Sequence, residues 1–312
     1  MSSDKESWLI YEGTNKQDDK KIKKLPKSPP WREKKEKKQR STYKASKKEI
    51  ELVNTALYLR RPLLVTGKPG VGKSSLAHSV ACELGLGDVL HWQITTKTTL
   101  EDGLYSYDAI GRLQDNSLNQ KRTFFSKPVP DIGEYITLGA LGMAFASKSM
   151  RVLLIDEIDK SDIDLPNNLL HILEENKFKI PELVRLKEGS HFVNCHESDE
   201  KIRVNNKVIE CQEFPLIIMT SNGEREFPPA FLRRCLHLEI EEPDEVKLKN
   251  IVESHLDLDS GQKKIVDEII KKFIREKEDG KELATDQLLN AIFLKLKTDD
   301  ELVKLIWHSL SS

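Results

Sequence analysis

One short stretch of the chain combines glycines, a lysine and hydroxyl side chains at a defined spacing. It runs from Gly67 to Ser75 and fits the pattern G-x-x-x-x-G-K-S/T. Glycines let backbone N–H groups approach an anion closely and form a concave nest of partial positive charge. This chemistry suits a nucleoside triphosphate, with Lys73 at the β- and γ-phosphates and Ser74 at Mg²⁺. The residues predicted to contact the nucleotide are Gly67, Lys68, Pro69, Gly70, Val71, Gly72, Lys73, Ser74 and Ser75.

Two adjacent acids follow an aliphatic stretch further along the chain. Residues 151–155 are rich in valine, leucine and isoleucine, and Asp156 and Glu157 come directly after them. A strand that ends in two acids is the expected partner of a phosphate-binding loop. We predict that Asp156 binds Mg²⁺ together with Ser74, and that Glu157 is the general base for the water that attacks the γ-phosphate.

More polar side chains follow later apolar segments. Asn222 ends the apolar stretch 215–221, and we predict that it orients the attacking water. Arg233 and Arg234 lie at the end of a short helix predicted over residues 228–235. An arginine delivered from a second subunit to a γ-phosphate accelerates hydrolysis by several orders of magnitude. The alternative is that this arginine pair only offsets the negative end of the helix dipole.

The segments around these residues alternate between strand and helix patterns. An apolar strand at 63–65 leads into the glycine-rich turn, and a helix begins near Ser74. Ser46 and Glu49 have the spacing of a capping box, which opens a helix through Tyr58. The alternation predicts an α/β fold, with further strands at 89–95, 151–157, 215–222 and 236–240 and a helix at 164–175.

Two segments depart from this alternation. Residues 97–138 carry polar loop residues and short aromatic runs, and residues 178–213 are irregular as well. Within the second segment, residues 202–209 predict a β-hairpin that turns at an Asn-Asn pair. We therefore predict a nucleotide-binding domain at 46–242 that contains two insertions.

The pattern becomes wholly helical after Pro243. Amphipathic periodicity predicts helices near residues 244–256, 260–278, 285–297 and 299–309. We therefore predict a small all-helical domain at 243–312.

The amino-terminal segment differs in composition from the rest of the chain. The whole chain has a net charge of −1, yet residues 1–50 hold 16 lysine and arginine residues against 8 acids, a net charge of +8. Residues 1–45 are poor in aliphatic side chains and contain several prolines, so we predict a basic flexible arm. Trp31 is the exception, and we predict that it docks on this subunit or on a neighbouring one. The basic run 34–38 is compatible with nucleic-acid binding, and a solvated run is the alternative.

Composition also argues against several classes of protein. No apolar run reaches the roughly 18 residues of a membrane-spanning helix, and the first residues lack the apolar stretch of a signal peptide. The four cysteines form no C-x-x-C pair, which argues against a zinc ribbon and against a disulfide framework. We therefore expect a cytoplasmic protein that does not bind a membrane.

With these motifs in this order, residues 46–309 resemble an AAA+ ATPase. The resemblance implies a P-loop NTPase domain with a parallel sheet and a C-terminal all-helical lid, and it implies ATP and Mg²⁺ as cofactors. It also implies that Asn222 is sensor 1 and that Arg234, or Arg233, is the arginine finger.

Within that family, Leu138-Gly139-Ala140-Leu141, the insertion at 97–138 and the hairpin at 200–212 resemble the MoxR branch. That branch carries a helix-2 insert and a pre-sensor-1 hairpin that face the pore of a hexameric ring. Residues 51–62 and 156–162 resemble MoxR-type ATPases of bacterial conflict systems. The resemblance implies a homo-oligomer that remodels a protein client or adaptor, such as a von Willebrand factor A or protease-like protein.

Two positions differ from the pattern of that branch. Asp159 stands where typical members have asparagine after the two acids. A sensor-2 arginine is expected at the start of the third lid helix, where this chain has Lys281, so either Lys281 substitutes for it or sensor 2 is missing.

Two alternative functions stay open. The first is a GTP-using nucleic-acid motor similar to McrB-type restriction subunits, although Asn206-Lys207 is followed by Val208-Ile209 and so does not complete an N-K-x-D guanine motif. The second is an ATP-held scaffold or switch with little turnover.

Overall fold

The computed structural model describes residues 10, 20–32, 43–120, 130–186, 189–196, 198–205, 207–256, 258–281 and 283–297. The chain forms two compact units. One comprises Tyr43–Glu242, and the other combines the described residues before position 43 with those from Pro243 onward. The basic run 34–38 and the helix predicted at 299–309 lie outside the described residues.

The larger unit has an α/β architecture, as the alternating sequence pattern predicts. Its described strands are β1 (Leu63–Thr66), β2 (Leu90–Gln93), β3 (Tyr105–Tyr107), β4 (Ile136–Leu138), β5 (Val152–Asp156), β6 (Lys177–Lys179), β7 (Ser190–Cys195), β8 (Ser198–Asn205), β9 (Val208–Glu210), β10 (Leu216–Ser221) and β11 (Leu236–Glu239). Its described α-helices are α1 (Lys47–Leu59), α2 (Lys73–Glu83), α3 (Leu100–Leu104), α4 (Ala109–Gln120), α5 (Ala140–Ala146), α6 (Leu165–Glu175), α7 (Pro181–Val184) and α8 (Pro229–Arg234).

Five of the strands form a parallel sheet in the order β11-β1-β10-β5-β2. Successive residues of β5 pack into different hydrophobic clusters, because a strand points alternate side chains to opposite faces of the sheet. Leu153 and Ile155 lie in one cluster, and Val152 and Leu154 lie in the other. Both faces are therefore covered at the centre of the sheet, which explains why β1, β5 and β10 are almost continuously apolar in the sequence, whereas the edge strands β2 and β11 also carry polar residues.

A second sheet joins the two segments that depart from the alternation. Its strand order is β3-β4-β7-β8, and the link between the two segments is a parallel pairing of β4 with β7. β3 and β4 come from the insertion at 97–138, while β7 and β8 form an antiparallel hairpin within 178–213. The two insertions therefore form one structure.

The predicted hairpin across residues 202–209 is wrong. β8 pairs with β7, and β9 pairs instead with β6. The β7–β8 ladder brings Ile202 opposite Val193, and both Val193 and Val204 are buried. A longer ladder that buries apolar side chains is favoured over the short hairpin that the local Asn-Asn signal predicts.

The smaller unit contains the described C-terminal helices α9 (Glu245–His255), α10 (Ser260–Glu278) and α11 (Thr285–Lys297). They bury a core of their own, which includes Val252, Ile270 and Phe273. Trp31 packs against this core, with its ring centroid 6.4 Å from that of His255 and 5.8 Å from that of Phe293. Trp31 was predicted to dock on its own subunit or on a neighbouring one, and in the structure it docks on its own. No described helix combines the length and apolar character needed to cross a membrane.

Candidate nucleotide-binding site

The glycine-rich loop connects β1 to α2, as its sequence pattern predicts. Gly67, Gly70 and Gly72 have φ values of +148°, +77° and +98°, a region that side chains disfavour. A Cβ atom at Gly67 would lie only 2.5 Å from the backbone oxygen of Ile240. The loop can therefore form only with glycine at this position, and it leads into the positive N-terminal end of α2.

Lys73 lies almost fully buried at the start of α2, with 8% of its surface exposed. Its ammonium donates hydrogen bonds to the backbone oxygens of Gly67 at 2.6 Å and Lys68 at 2.9 Å, and to Asn222 Oδ1 at 2.8 Å. Burial lowers the pKa of Lys73 below its usual 10.5, and the nearby carboxylates oppose that shift. The ammonium is thus already desolvated and bound to the loop, so phosphate oxygens can replace uncharged acceptors around it.

The predicted metal ligands lie in direct contact. Ser74 Oγ donates a hydrogen bond of 2.8 Å to Asp156 Oδ1, and the hydroxyl of Thr220 donates to the same oxygen. His91 Nε2 lies 3.4 Å from Asp156 Oδ2. Mg²⁺ prefers one or two carboxylate or hydroxyl oxygens together with phosphate oxygens and water. The donor set of Ser74 and Asp156 therefore fits Mg²⁺ bound to a nucleotide.

Glu157 has an unusual backbone conformation for a residue with a side chain. Its φ is +61°, a left-handed value that costs a non-glycine residue about 1–3 kcal/mol and that is often found at functional sites. The Glu157 N–H donates to Thr220 Oγ1 at 2.9 Å. Its carboxylate accepts hydrogen bonds from Gln93 Nε2 at 2.7 Å and Lys160 Nζ at 2.9 Å. The hydrogen bond with Glu157 raises the pKa of Lys160.

Asp159 organises the loop that carries Asn222, which the motifs did not predict. It is 3% exposed, and its Oδ2 atom accepts the backbone N–H groups of Asn222 at 2.8 Å and Glu224 at 3.1 Å. Its Oδ1 atom has no hydrogen-bond partner among the described residues. The only signal in the sequence was its difference from the asparagine typical of the MoxR branch.

Tyr43 contacts the glycine-rich loop, which the motifs did not predict. The ring of Tyr43 lies 3.0 Å from the position of a Cβ atom at Gly72, and its hydroxyl donates a 2.9 Å hydrogen bond to the buried carboxylate of Glu49. Glu49 also completes the capping box with Ser46 that the sequence predicts. The ammonium of Lys68 forms an ion pair with Glu242, with 2.5 Å between Nζ and Oε1.

Most of the predicted site residues surround one cavity of about 330 Å³. It lies at the carboxyl ends of β1, β5 and β10, where ligands bind to open α/β sheets. The residues lining it are Pro69, Gly70, Gly72, Lys73, Ser74, Ser75, Asp156, Glu157, Thr220 and Asn222.

The predicted arginine pair lies elsewhere in the larger unit. Arg233 and Arg234 end α8 just before the amino end of β11. Because β11 runs parallel to β1, this is the side of the sheet opposite to the carboxyl ends that surround the cavity. The two arginines line a separate cavity of about 640 Å³, which shares none of its described lining residues with the first. Lys281 belongs to the smaller unit, where its ammonium pairs with Glu276.

Comparison with known proteins supports this description. A family model described as "AAA domain (dynein-related subfamily)" matches residues 62–235. The match begins before the phosphate-binding loop, ends after the arginine pair and covers more than half of the chain. Among curated proteins the chain has no significant match. With this match and a five-stranded parallel sheet around a phosphate-binding loop, the chain belongs to the dynein-related subfamily of AAA-domain proteins.

Proposed function

We propose that the protein is a MoxR-type AAA+ ATPase that acts as a homo-oligomeric ring. In this proposal, hydrolysis of Mg²⁺-bound ATP remodels or activates a protein partner, such as a von Willebrand factor A or protease-like protein. Residues 46–242 bind the nucleotide, and residues 243–312 act as the lid.

One observation carries the proposal of ATP hydrolysis. Three separate strands bring a phosphate-binding lysine, two acids and a polar amide to the same cavity. Lys73 and Asn222 are hydrogen-bonded to each other, and Ser74 is hydrogen-bonded to Asp156. A surface loop that only resembles the motif has no reason to bring all of these groups together.

The roles of the residues follow from their contacts. Lys73 binds the β- and γ-phosphates when its hydrogen bonds to the loop oxygens exchange for bonds to charged phosphate oxygens, which are stronger. Ser74 and Asp156 hold Mg²⁺, which neutralises negative charge on the phosphates when it is bound. Asn222 orients the attacking water, and Glu157 accepts its proton. Gln93 and Lys160 hold the Glu157 carboxylate in position.

The arginine pair supports hydrolysis between subunits rather than within one subunit. Arg233 and Arg234 lie at the amino ends of the strands, whereas the nucleotide cavity of their own chain lies at the carboxyl ends. A head-to-tail contact between identical copies brings one edge of a copy to the other edge of its neighbour, and repetition of that contact closes a ring. The arginines of one copy then stabilise the charge that develops at the γ-phosphate of the next.

The second sheet supports the MoxR assignment within this family. The segment in the position of the helix-2 insert shares one four-stranded sheet with the β7–β8 hairpin, which stands before β10 in place of the hairpin predicted at 200–212. In the MoxR branch, the corresponding segments face the pore of the ring, where a client is engaged.

The decisive test is steady-state ATP turnover per subunit, measured across protein concentration, with GTP as competitor. We expect turnover that rises cooperatively with concentration and is lost in Glu157→Gln. Glu83→Gln, which changes an exposed acid at the end of α2, is the control and should keep wild-type turnover. Turnover that does not depend on concentration would contradict hydrolysis between subunits. Tight ATP binding without turnover would instead favour a nucleotide-held switch, and preferential use of GTP would favour the McrB-like alternative.

A further inference from the structure

A third arginine, Arg61, binds the backbone of the arginine pair. Arg61 Nε donates a 3.1 Å hydrogen bond to the backbone oxygen of Arg234, and its Nη2 atom donates to the backbone oxygen of Arg233. The same Nη2 atom lies 3.4 Å from the backbone oxygen of Cys235. One guanidinium thus binds three consecutive carbonyl groups at the point where α8 ends and β11 begins.

The path of the chain explains why Arg61 reaches this turn. Arg61 directly precedes Pro62 and β1, and β1 pairs in parallel with β11, with Leu63 opposite Leu236. The backbone N–H of Leu236 donates a 2.8 Å hydrogen bond to the Pro62 oxygen. The residue before one strand therefore lies beside the turn before its neighbour.

The chemistry of the contact requires an arginine. The last carbonyl groups of a helix have no partner within the helix, and a positive charge is favourable at that end. Arginine presents several N–H groups in a rigid planar fork, whereas lysine is a flexible point charge. A lysine at this position keeps the charge but cannot bind several carbonyl groups in one plane.

The side chains that Arg61 supports are themselves loosely held. Arg233 and Arg234 are both exposed. Arg233 Nε donates to the backbone oxygen of Pro229 in its own helix, and Arg234 Nε pairs at 2.5 Å with Glu174, which is half exposed. Exposed ion pairs contribute little, so the direction in which both side chains leave the surface depends mainly on the backbone that carries them.

We propose that Arg61 is a positioning residue that holds the Arg233–Arg234 turn in the orientation required to reach the γ-phosphate bound by a neighbouring copy; this inference rests on the proposed function. Arg61 does not contact nucleotide in this arrangement. It acts through the backbone of the arginine pair. This support affects turnover because a shift of about 1 Å in a catalytic group can reduce a rate about 100-fold.

The first test separates positioning from nucleotide binding. In Arg61→Ala and in Arg61→Lys we expect kcat to fall by up to about 100-fold, while the Kd for ATP stays at the wild-type value. The matched control is Arg60→Asn, because Arg60 lines the same cavity but donates to Leu57 in its own helix. Arg60 has a left-handed φ of +54°, which asparagine tolerates, so the control should keep wild-type turnover. Wild-type kcat in Arg61→Lys would overturn the proposal.

The second test uses mixtures of inactive subunits. A subunit with Arg61→Ala has an intact nucleotide site, and a subunit with Glu157→Gln has an intact arginine pair. In rings mixed at equal amounts, about one quarter of the sites combine both intact parts, so we expect turnover to return to about a quarter of the wild-type value. A variant of Arg61 that only damages the fold of its own subunit would not be rescued, and this outcome would overturn the proposal.

A parallel mixture distinguishes failure of this inference from failure of the proposed function. The double variant Arg233→Ala with Arg234→Ala is mixed with Glu157→Gln in the same way. Rescue of the double variant without rescue of Arg61→Ala would overturn the role of Arg61 alone. Absence of rescue for both would contradict hydrolysis between subunits, and with it the inference that rests on it.

Discussion

Replacement of Asp159 tests how the loop that carries Asn222 is held. The Asp159 carboxylate is 3% exposed and accepts the backbone N–H groups of Asn222 and Glu224. Hydrogen bonds to a charged group contribute about 1.5–3 kcal/mol each, so two of them amount to about 3–6 kcal/mol. Burial of the unpartnered Oδ1 atom offsets part of this gain. We therefore expect Asp159→Ala to lower the free energy of unfolding by about 3 kcal/mol.

Asp159→Asn should behave differently. Its amide oxygen can still accept the same N–H groups, through neutral hydrogen bonds of about 0.5–1.5 kcal/mol each. The amide also removes the cost of burying a charge, so we expect its free energy of unfolding to lie within about 1 kcal/mol of wild type. The Asp159 carboxylate is also the strongest of the neighbouring charges that raise the pKa of Lys73. Its neutralisation should lower that pKa further.

Urea denaturation and ATP turnover together provide the assay. The control is Asp164→Ala, because Asp164 is exposed at the start of α6 and its side chain makes no capping hydrogen bond. This control should cost at most about 1 kcal/mol through the helix dipole. In Asp159→Ala we expect a loss of turnover as well as of stability, since the Asn222 loop is no longer held. Equal destabilisation by Asp159→Ala and Asp164→Ala would refute the reasoning.

Two further predictions concern the phosphate-binding loop. Gly67→Ala should abolish ATP binding, measured by displacement of a fluorescent nucleotide, because its Cβ atom would clash with the Ile240 oxygen; Gly85→Ala, with φ +65° but no atom within 4 Å of the new Cβ, is the control that should bind ATP normally. The second concerns pH: the affinity for ATP should fall as the pH rises through a value below 10.5, because the lowered pKa of Lys73 makes its amine neutral while an ordinary lysine is still charged. Lys73→Arg should remove this fall because a guanidinium keeps its charge, and an unchanged pH profile in that variant would assign the effect to another group.

The phosphate-binding loop and the central strands could be predicted because their signals are local. Each depends on residues that are contiguous in the chain: an apolar run, a set of glycines or a pair of acids. The strand predicted at 63–65 and the one at 215–222 correspond to Leu63–Thr66 and Leu216–Ser221 in the structure. Strands covered on both faces have little freedom in composition, which makes them easy to recognise.

Strand pairing in the insertions was harder to predict because these strands pair with partners that are distant in the sequence. A turn signal at the Asn-Asn pair predicted a hairpin, but β8 and β9 each bind a different strand. Strand pairing depends on which apolar faces are available in three dimensions, and a local turn signal carries no information about them.

The sequence by itself indicated the residue types of the candidate site, from Gly67 to Ser75 and at Asp156 and Glu157, together with an α/β alternation of strands and helices. Only the tertiary structure decided which backbone groups those residues contact. Asp159 holds the Asn222 loop from more than sixty positions away, and Arg61 holds the Arg233 turn across an even longer separation. A hydrogen bond to a backbone carbonyl or N–H leaves no trace in the identity of the residue it contacts, so only the folded chain reveals it.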